Sequence, residues 1–237
     1  MKLKTEGITR QYFRQGKGTN VFTAVQKTDL ELVPGTLTEV CGRSGSGKST
    51  LLNMLAGLLE PTAGHVFLDE TDLYSLDDSS RARLRNRAMG IVPQGQTALH
   101  SLTVWENILL PAYMYPETTD PAVPAAEKGG SVRTEELAGM LLEKVKIGHL
   151  QNVYPDELSG GERRRLSIAR ALIMQPGILL ADEPTADLDD DNTRGVLELL
   201  RACADEGTAV FLVTHEAEAA AYADTVYKMN EGVLSKQ

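Results

Sequence analysis

Leu37-Thr38-Glu39-Val40-Cys41-Gly42-Arg43-Ser44-Gly45-Ser46-Gly47-Lys48-Ser49-Thr50 is the stretch on which the fold turns. Leu37 to Val40 reads as a strand, and Lys48 to Leu59 as a helix with Leu51, Leu52, Leu55 and Leu58/Leu59 on one face. Between them G-x-x-x-x-G-K-S follows a strand and opens a helix, the context that defines a P-loop. Its glycines let the backbone wrap closely, so that successive N–H groups point at phosphate oxygens. The helix start beyond adds the positive end of its dipole. Lys48 supplies a point charge for β- and γ-phosphates, and the Ser49 hydroxyl is a fitting Mg²⁺ ligand. A chance Gly/Ser turn would have neither the spacing nor the flanking elements.

Outward from the loop, short apolar runs alternate with helical patterns, as in an α/β domain with a largely parallel sheet. Further strands are expected at His65–Leu68, Ile91–Val92, Ile178–Ala181 and Ala209–Val213. The N-terminal stretch, with polar residues interleaved among Leu3, Ile8, Val21, Phe22 and Val25, suits antiparallel strands with a hairpin around Gly16 and Gly18. Between about Gln94 and Gln175 strand signals vanish and helical ones dominate, for example over Thr134–Val145. A helical subdomain at 94–175, inserted into a core of 1–93 and 176–237, is expected. Within it, Pro116 to Ser131 is rich in proline and glycine and reads as an exposed, mobile loop.

The 237 residues are 42% apolar and 24% charged, ordinary globular values, with a formal net charge of −9. That acidic balance argues against a nucleic-acid partner, which needs a basic face. Cys41 and Cys203 lack metal-ligand or disulfide spacing and read as reduced thiols of a cytosolic protein. The leading residues carry no apolar signal-peptide core, and the apolar runs are strand-sized, far short of a membrane span. The chain is expected to be soluble by itself, with any membrane role supplied through a partner.

Two further constellations carry chemistry. Ile178-Leu179-Leu180-Ala181-Asp182-Glu183 delivers two carboxylates to the end of an apolar strand, where ligands sit in open α/β sheets. Asp182 can enter a Mg²⁺ shell, and Glu183 is placed to polarise an attacking water. Leu158-Ser159-Gly160-Gly161-Glu162 opens a helix with Ser159 as a good N-cap and two glycines exposing N–H groups, a second anion site. Alone, either has a bland reading, as solvated acids or an ordinary cap.

In this order and spacing the phosphate loop, the Ser159–Glu162 segment and the Asp182-Glu183 strand resemble an ATP-binding-cassette (ABC) ATPase over nearly the whole chain. The resemblance implies a RecA-like P-loop core, an N-terminal antiparallel β-subdomain and an inserted helical signature subdomain. It also implies ATP and Mg²⁺ as ligands, hydrolysis to ADP and phosphate, and catalytic roles for Glu183, His215 and Lys48. Nucleotide-binding roles follow for Gly42, Arg43, Ser44, Gly45, Ser46, Gly47, Lys48, Ser49 and Thr50, with the metal on Ser49, Gln94 and Asp182. Gln94 matches the glutamine that touches metal and water and senses the membrane subunit. His215 matches the histidine that contacts the γ-phosphate, and Asp187 the loop that crosses to the opposite subunit. Tyr12 is similar to the aromatic that stacks on adenine, with Phe13 as its rival and a core role open. Ser159, Gly160, Gly161 and Glu162 of one chain would complete the site of a second copy, packed head to tail. Trp105, near Leu99, Leu102, Val104 and Ile108, is either subdomain core or part of an apolar groove for a partner helix.

Arg85-Asn86-Arg87, Gly90-Ile91-Val92-Pro93-Gln94, Glu106-Asn107-Ile108-Leu109-Leu110-Pro111 and Leu179–Thr185 resemble the macrolide-export and lipoprotein-release branch. That branch pairs with a separate integral membrane permease, which places the chain at the inner face of the cell membrane. Two departures stand out: Glu162 where glutamine is commoner, and a longer Pro116–Ser131 stretch. Alternatives are a regulatory ABC ATPase working without transport, for instance in cell division, and a soluble ABC protein.

Overall fold

The computed structural model describes residues 1–14, 20–95, 97–115 and 130–237. The hairpin tip around Gly16 and Gly18 and most of the Pro116–Ser131 segment lie outside the described residues; Gly130 and Ser131 already belong to a helix. In chain order the strands and helices of the first half are β1 (Leu3–Arg14), β2 (Asn20–Thr28), β3 (Glu31–Leu32), β4 (Leu37–Cys41), α1 (Lys48–Leu55), β5 (Ala63–Leu68), β6 (Thr71–Asp72), α2 (Asp78–Ala88), β7 (Met89–Val92) and α3 (Val104–Met114). There follow α4 (Gly130–Lys144), α5 (Gly160–Leu172), β8 (Ile178–Asp182), α6 (Asp190–Asp205), β9 (Ala209–Thr214), β10 (Thr225–Asn230) and β11 (Val233–Lys236).

Two sheets result. The larger has the order β11-β10-β4-β9-β8-β7, all parallel except β11. The smaller runs β2-β1-β5-β6, antiparallel, with β3 also on β1. His65–Leu68 therefore forms a strand as expected, but in the antiparallel sheet, where it pairs with β1. Alternation along β9 divides the interior in two. Ala209, Phe211 and Val213 face α1 and the antiparallel sheet, while Val210 and Leu212 face α6 and the helices α3–α5.

The helix after the phosphate loop is shorter than its leucine pattern suggests. It ends at Leu55; Gly57 turns left-handed at φ 66°, and the N–H groups of Leu58 and Leu59 both return to the Asn53 carbonyl. Among the described residues, 94–175 contains helices and no strand. Trp105 is half-buried against the same apolar cluster as Val104 and Ile108, while Leu99 stays exposed. The β10–β11 hairpin carries no apolar run and was not anticipated.

Candidate nucleotide site

The register of the parallel strands decides which residues meet at their C-terminal edge. Cys41 lies beside Thr214, Val213 beside Asp182, and Val92 beside Ala181. Gly42, His215, Glu183 and Gln94 therefore emerge along one edge, where an open α/β sheet takes its ligand.

At that edge α1 starts without a side-chain cap. Its N-cap is Gly47, left-handed at φ 110°, whereas α2, α3, α5 and α6 are capped by Asp77, Thr103, Ser159 and Asp189. Among the described residues, the N–H groups of Gly45, Gly47, Lys48, Ser49 and Thr50 have no acceptor. A row of unpaired donors at a helix start is an anion cradle. The Ser46 hydroxyl is likewise buried without a partner.

Lys48, only 6% exposed, donates to the carbonyls of Gly42 (2.8 Å) and Arg43 (3.3 Å). Its Nζ also lies 3.5 Å from Glu183 Oε1, and Glu183 Oε2 is 2.8 Å from His215 Nδ1. One carboxylate thus stands between the Lys48 ammonium and the His215 ring, with His215 more than half exposed and Glu183 buried. Glu183 adopts φ 47°, a left-handed conformation costing a non-glycine residue about 1–2 kcal/mol. Its N–H donates to the Val213 carbonyl at 2.8 Å, and its carbonyl accepts from Ala186 N–H at 3.2 Å, which locks the bend.

Asp182 is buried and its Oδ1 has no partner. Burial pushes its carboxyl above the usual carboxylate range; the Ser49 hydroxyl opposes this, Glu183 adds to it, and Lys48 and Arg164 oppose it. An orphaned carboxylate oxygen beside a hydroxyl fits Mg²⁺, which takes one or two protein oxygens and completes its shell with phosphates and water.

The segment Ser159–Glu162 is not brought to this cradle. Ser159 Oγ accepts from Glu162 N–H at 3.3 Å and donates to Glu162 Oε2 at 2.8 Å, while Ser159 N–H donates to the same oxygen at 2.7 Å. These two donors hold the Glu162 carboxyl below its usual range. Gly161 packs so tightly on Asn192 that a Cβ there would stand 2.7 Å from its Oδ1. Asn192 in turn accepts from Arg165 at 2.8 Å. Glu162 is thus a capping partner of Ser159 within its own chain. Asp187 lies in the turn after β8 with φ 63°. Gln94 is exposed beyond β7, one residue past Pro93, whose carbonyl accepts from Arg164 Nη1 at 3.0 Å. Tyr12 is half-buried on β1 with the Arg10 guanidinium 4.8 Å over its ring, and Phe13 points the other way, 81% exposed.

Sequence reading missed the residues behind the loop. Ala24, Met229 and Gly232 close its rear, and Arg164 ties the start of α5 to the Gln94 segment. The Asn230-Glu231-Gly232 turn signal between Thr225–Met229 and Val233-Leu234 is the cue that could have exposed the hairpin.

Comparison with known proteins gives the family. The family profile described as "ABC transporter" matches residues 25–186. The lipoprotein-releasing system ATP-binding protein LolD of Shewanella sp. (strain MR-4) is 39% identical over 98% of this chain and 94% of its own length. That of Pseudomonas syringae pv. tomato is 39% identical over 98% of this chain and 96% of its own. Among solved structures, the dimeric post-hydrolysis state of the ATP-binding cassette MJ0796, bound to ADP and Pi, superposes with a TM-score of 0.84 at 30% identity, covering 99% of this chain and 98% of that one. On these matches the chain belongs to the ABC transporter family as an ATP-hydrolysing member.

Proposed function

We propose that the chain is the ATP-hydrolysing subunit of a membrane transport complex of the lipoprotein-releasing type, working as a homodimer on a separate permease at the cytoplasmic face. The observation that carries the reading is the placement of Glu183 between Lys48 and His215 at the strand edge, beside the unpaired N–H row. The relatives named as LolD support the branch, and the dimeric MJ0796 structure supports the pair.

In this reading Gly42–Thr50 holds the phosphates and Tyr12 the adenine. Ser49, Asp182 and Gln94 would hold Mg²⁺, which supplies charge neutralisation on the phosphates. Lys48 now rests on loop carbonyls and Glu183; drawn to the γ-phosphate, it leaves Glu183 Oε1 free to accept from the attacking water. His215 keeps the other oxygen and reaches the γ-phosphate side. Ser159, Gly160 and Gly161 make no hydrogen bond to their own cradle, so they serve the second copy, with Asp187 at the crossing. Shifting a pair from mostly open to mostly closed takes about 5.5 kcal/mol. A few charge-assisted hydrogen bonds at about 1.5–3 kcal/mol each, made only on closure, reach that sum. Residues 94–175 would then turn as a unit on the core of 1–93 and 176–237.

Glu183→Gln tests the reading. The variant is expected to bind ATP, to hydrolyse it at least about 100-fold more slowly, and to accumulate as a dimer in size-exclusion runs with Mg-ATP. A variant that stays monomeric refutes the paired site. Purification from native membranes without any membrane protein counts against the permease.

A further inference from the structure

The rear of the phosphate loop is closed by two elements remote from it in sequence. Gly232 N–H donates to the Ser46 carbonyl at 2.9 Å, and the Gly232 carbonyl accepts from Gln26 N–H of β2 at 2.8 Å. Gly42 and Gly47, left-handed at φ 156° and 110°, lie against the Met229 and Ala24 carbonyls so closely that a Cβ on either would collide with them. The same Cβ on Gly47 would stand 2.9 Å from Met229 Cε. Met229 is itself buried in the core with Leu51, Leu52 and Leu55 of α1. Glu231 (φ 46°) and Gly232 (φ 79°) both have positive φ, which a two-residue I′ hairpin turn requires, so the turn is rigidly set.

A trans peptide is planar, with its C=O and N–H pointing in opposite directions. Fixing the Ser46 carbonyl on the turn therefore aims the N–H of the same peptide, that of Gly47, away from the turn. That N–H is among those without an acceptor. We infer that the Glu231-Gly232 turn is the backstop that orients the Ser46–Gly47 peptide, making Gly232 a positioning residue for the phosphate next to the cradle. Released from the turn, the peptide can flip, which removes a donor and offers a carbonyl oxygen to an anion. This inference rests on Gly42–Thr50 being the cradle.

Gly232→Ala sets a Cβ 2.9 Å from the Ala24 carbonyl oxygen and strains the turn. Gly35→Ala is the matched control: Gly35 also has φ 79°, but its Cβ would meet only the Ala204 carbonyl at 3.8 Å, far from the loop. Equilibrium binding of ADP and of adenosine, together with steady-state ATPase kinetics, reads the difference. Gly232→Ala is expected to lose at least about tenfold in ADP affinity, the loss of one hydrogen bond to a charged group, with adenosine affinity unchanged. KM for ATP should rise by a similar factor while kcat stays within about threefold, since a β-phosphate contact is made in ground and transition states alike. Gly35→Ala should bind both ligands normally. Equal ADP affinity in the two variants and the unaltered protein overturns the inference. If the unaltered protein binds adenosine as tightly as ADP, the cradle reading fails first and the inference falls with it. Should Gly232→Ala not fold, a semisynthetic chain with glycolate in place of Gly232 removes the N–H without adding an atom, and the same two affinities decide.

Discussion

Glu39 sits in the middle of β4, paired with Leu212 and Val226, and is buried with its Oε2 unpartnered. Burial alone raises its carboxyl above the ordinary value of 4.5. At the residue scale the sign is fixed. Below the ordinary value Glu39 is neutral folded and unfolded; above it the unfolded chain ionises first, so stability falls as pH rises until the folded group ionises too. Glu39→Leu should stabilise the chain by about 1–2 kcal/mol, and its advantage should grow between pH 4.5 and neutrality. Urea unfolding midpoints at pH 5 and 7.5 measure this; an advantage that shrinks with pH would contradict it. Nothing in Leu37–Val40 as a sequence betrays the problem, since a glutamate on a strand ordinarily reaches solvent. The strand's pairing on both sides is a tertiary fact. Lys48, Asp182 and Glu183 stood out through motif and strand context and His215 through the family resemblance, and the structure brings all four to one strand edge. Glu162's role as its own chain's cap was legible only as electrostatics, because the competing partner is three residues away.

At the element scale, helix starts explain why some segments were easy and others invisible. Thr103 and Glu106 form a capping box on α3, and behind it Asn107 is fully buried. The Asn107 side chain donates to the carbonyls of Leu99 (3.0 Å), Leu102 (2.9 Å) and Thr103 (2.9 Å) and accepts from Leu99 N–H at 2.8 Å. Asn107→Leu removes all four hydrogen bonds of a fully buried side chain, among them the partner of the Leu102 carbonyl, and should cost about 3 kcal/mol or more. Thr103→Ala removes one cap and should cost about 1 kcal/mol. Chemical denaturation ranks the two; the reverse order would show that the loop, rather than the cap, is dispensable. The strands β7, β8 and β9 were readable because both faces are covered, giving apolar runs, and β4 because the phosphate loop follows it. The hairpin β10–β11 is mostly half-exposed, and its Thr-Val-Tyr-Lys-Met-Asn pattern signals neither a buried run nor a clean alternation. Only its turn residues speak.

Taken as a whole, the molecule has two interiors on either face of one sheet, and the helical segment shares one of them. Ile108, Leu142 and Leu166 from that segment belong to the same apolar cluster as Leu197 of α6 and Leu179 and Leu212 of the sheet. The single tryptophan, Trp105, packs against it. Unfolding followed by Trp105 fluorescence should therefore coincide with unfolding followed by far-UV circular dichroism, in one transition. Separate midpoints would mean that the helical segment melts alone. The order of the large sheet has a consequence for how the protein is made. β4, which carries the phosphate loop, is flanked by β9 and β10, both encoded more than a hundred and fifty residues later. A ribosome thus produces the loop on the order of ten seconds or more before Met229 and Gly232 exist to back it. Until then the nascent loop has only Ala24 of the residues that close its rear. On the proposed backstop, the emerging chain holds nucleotide less tightly until translation has passed the hairpin.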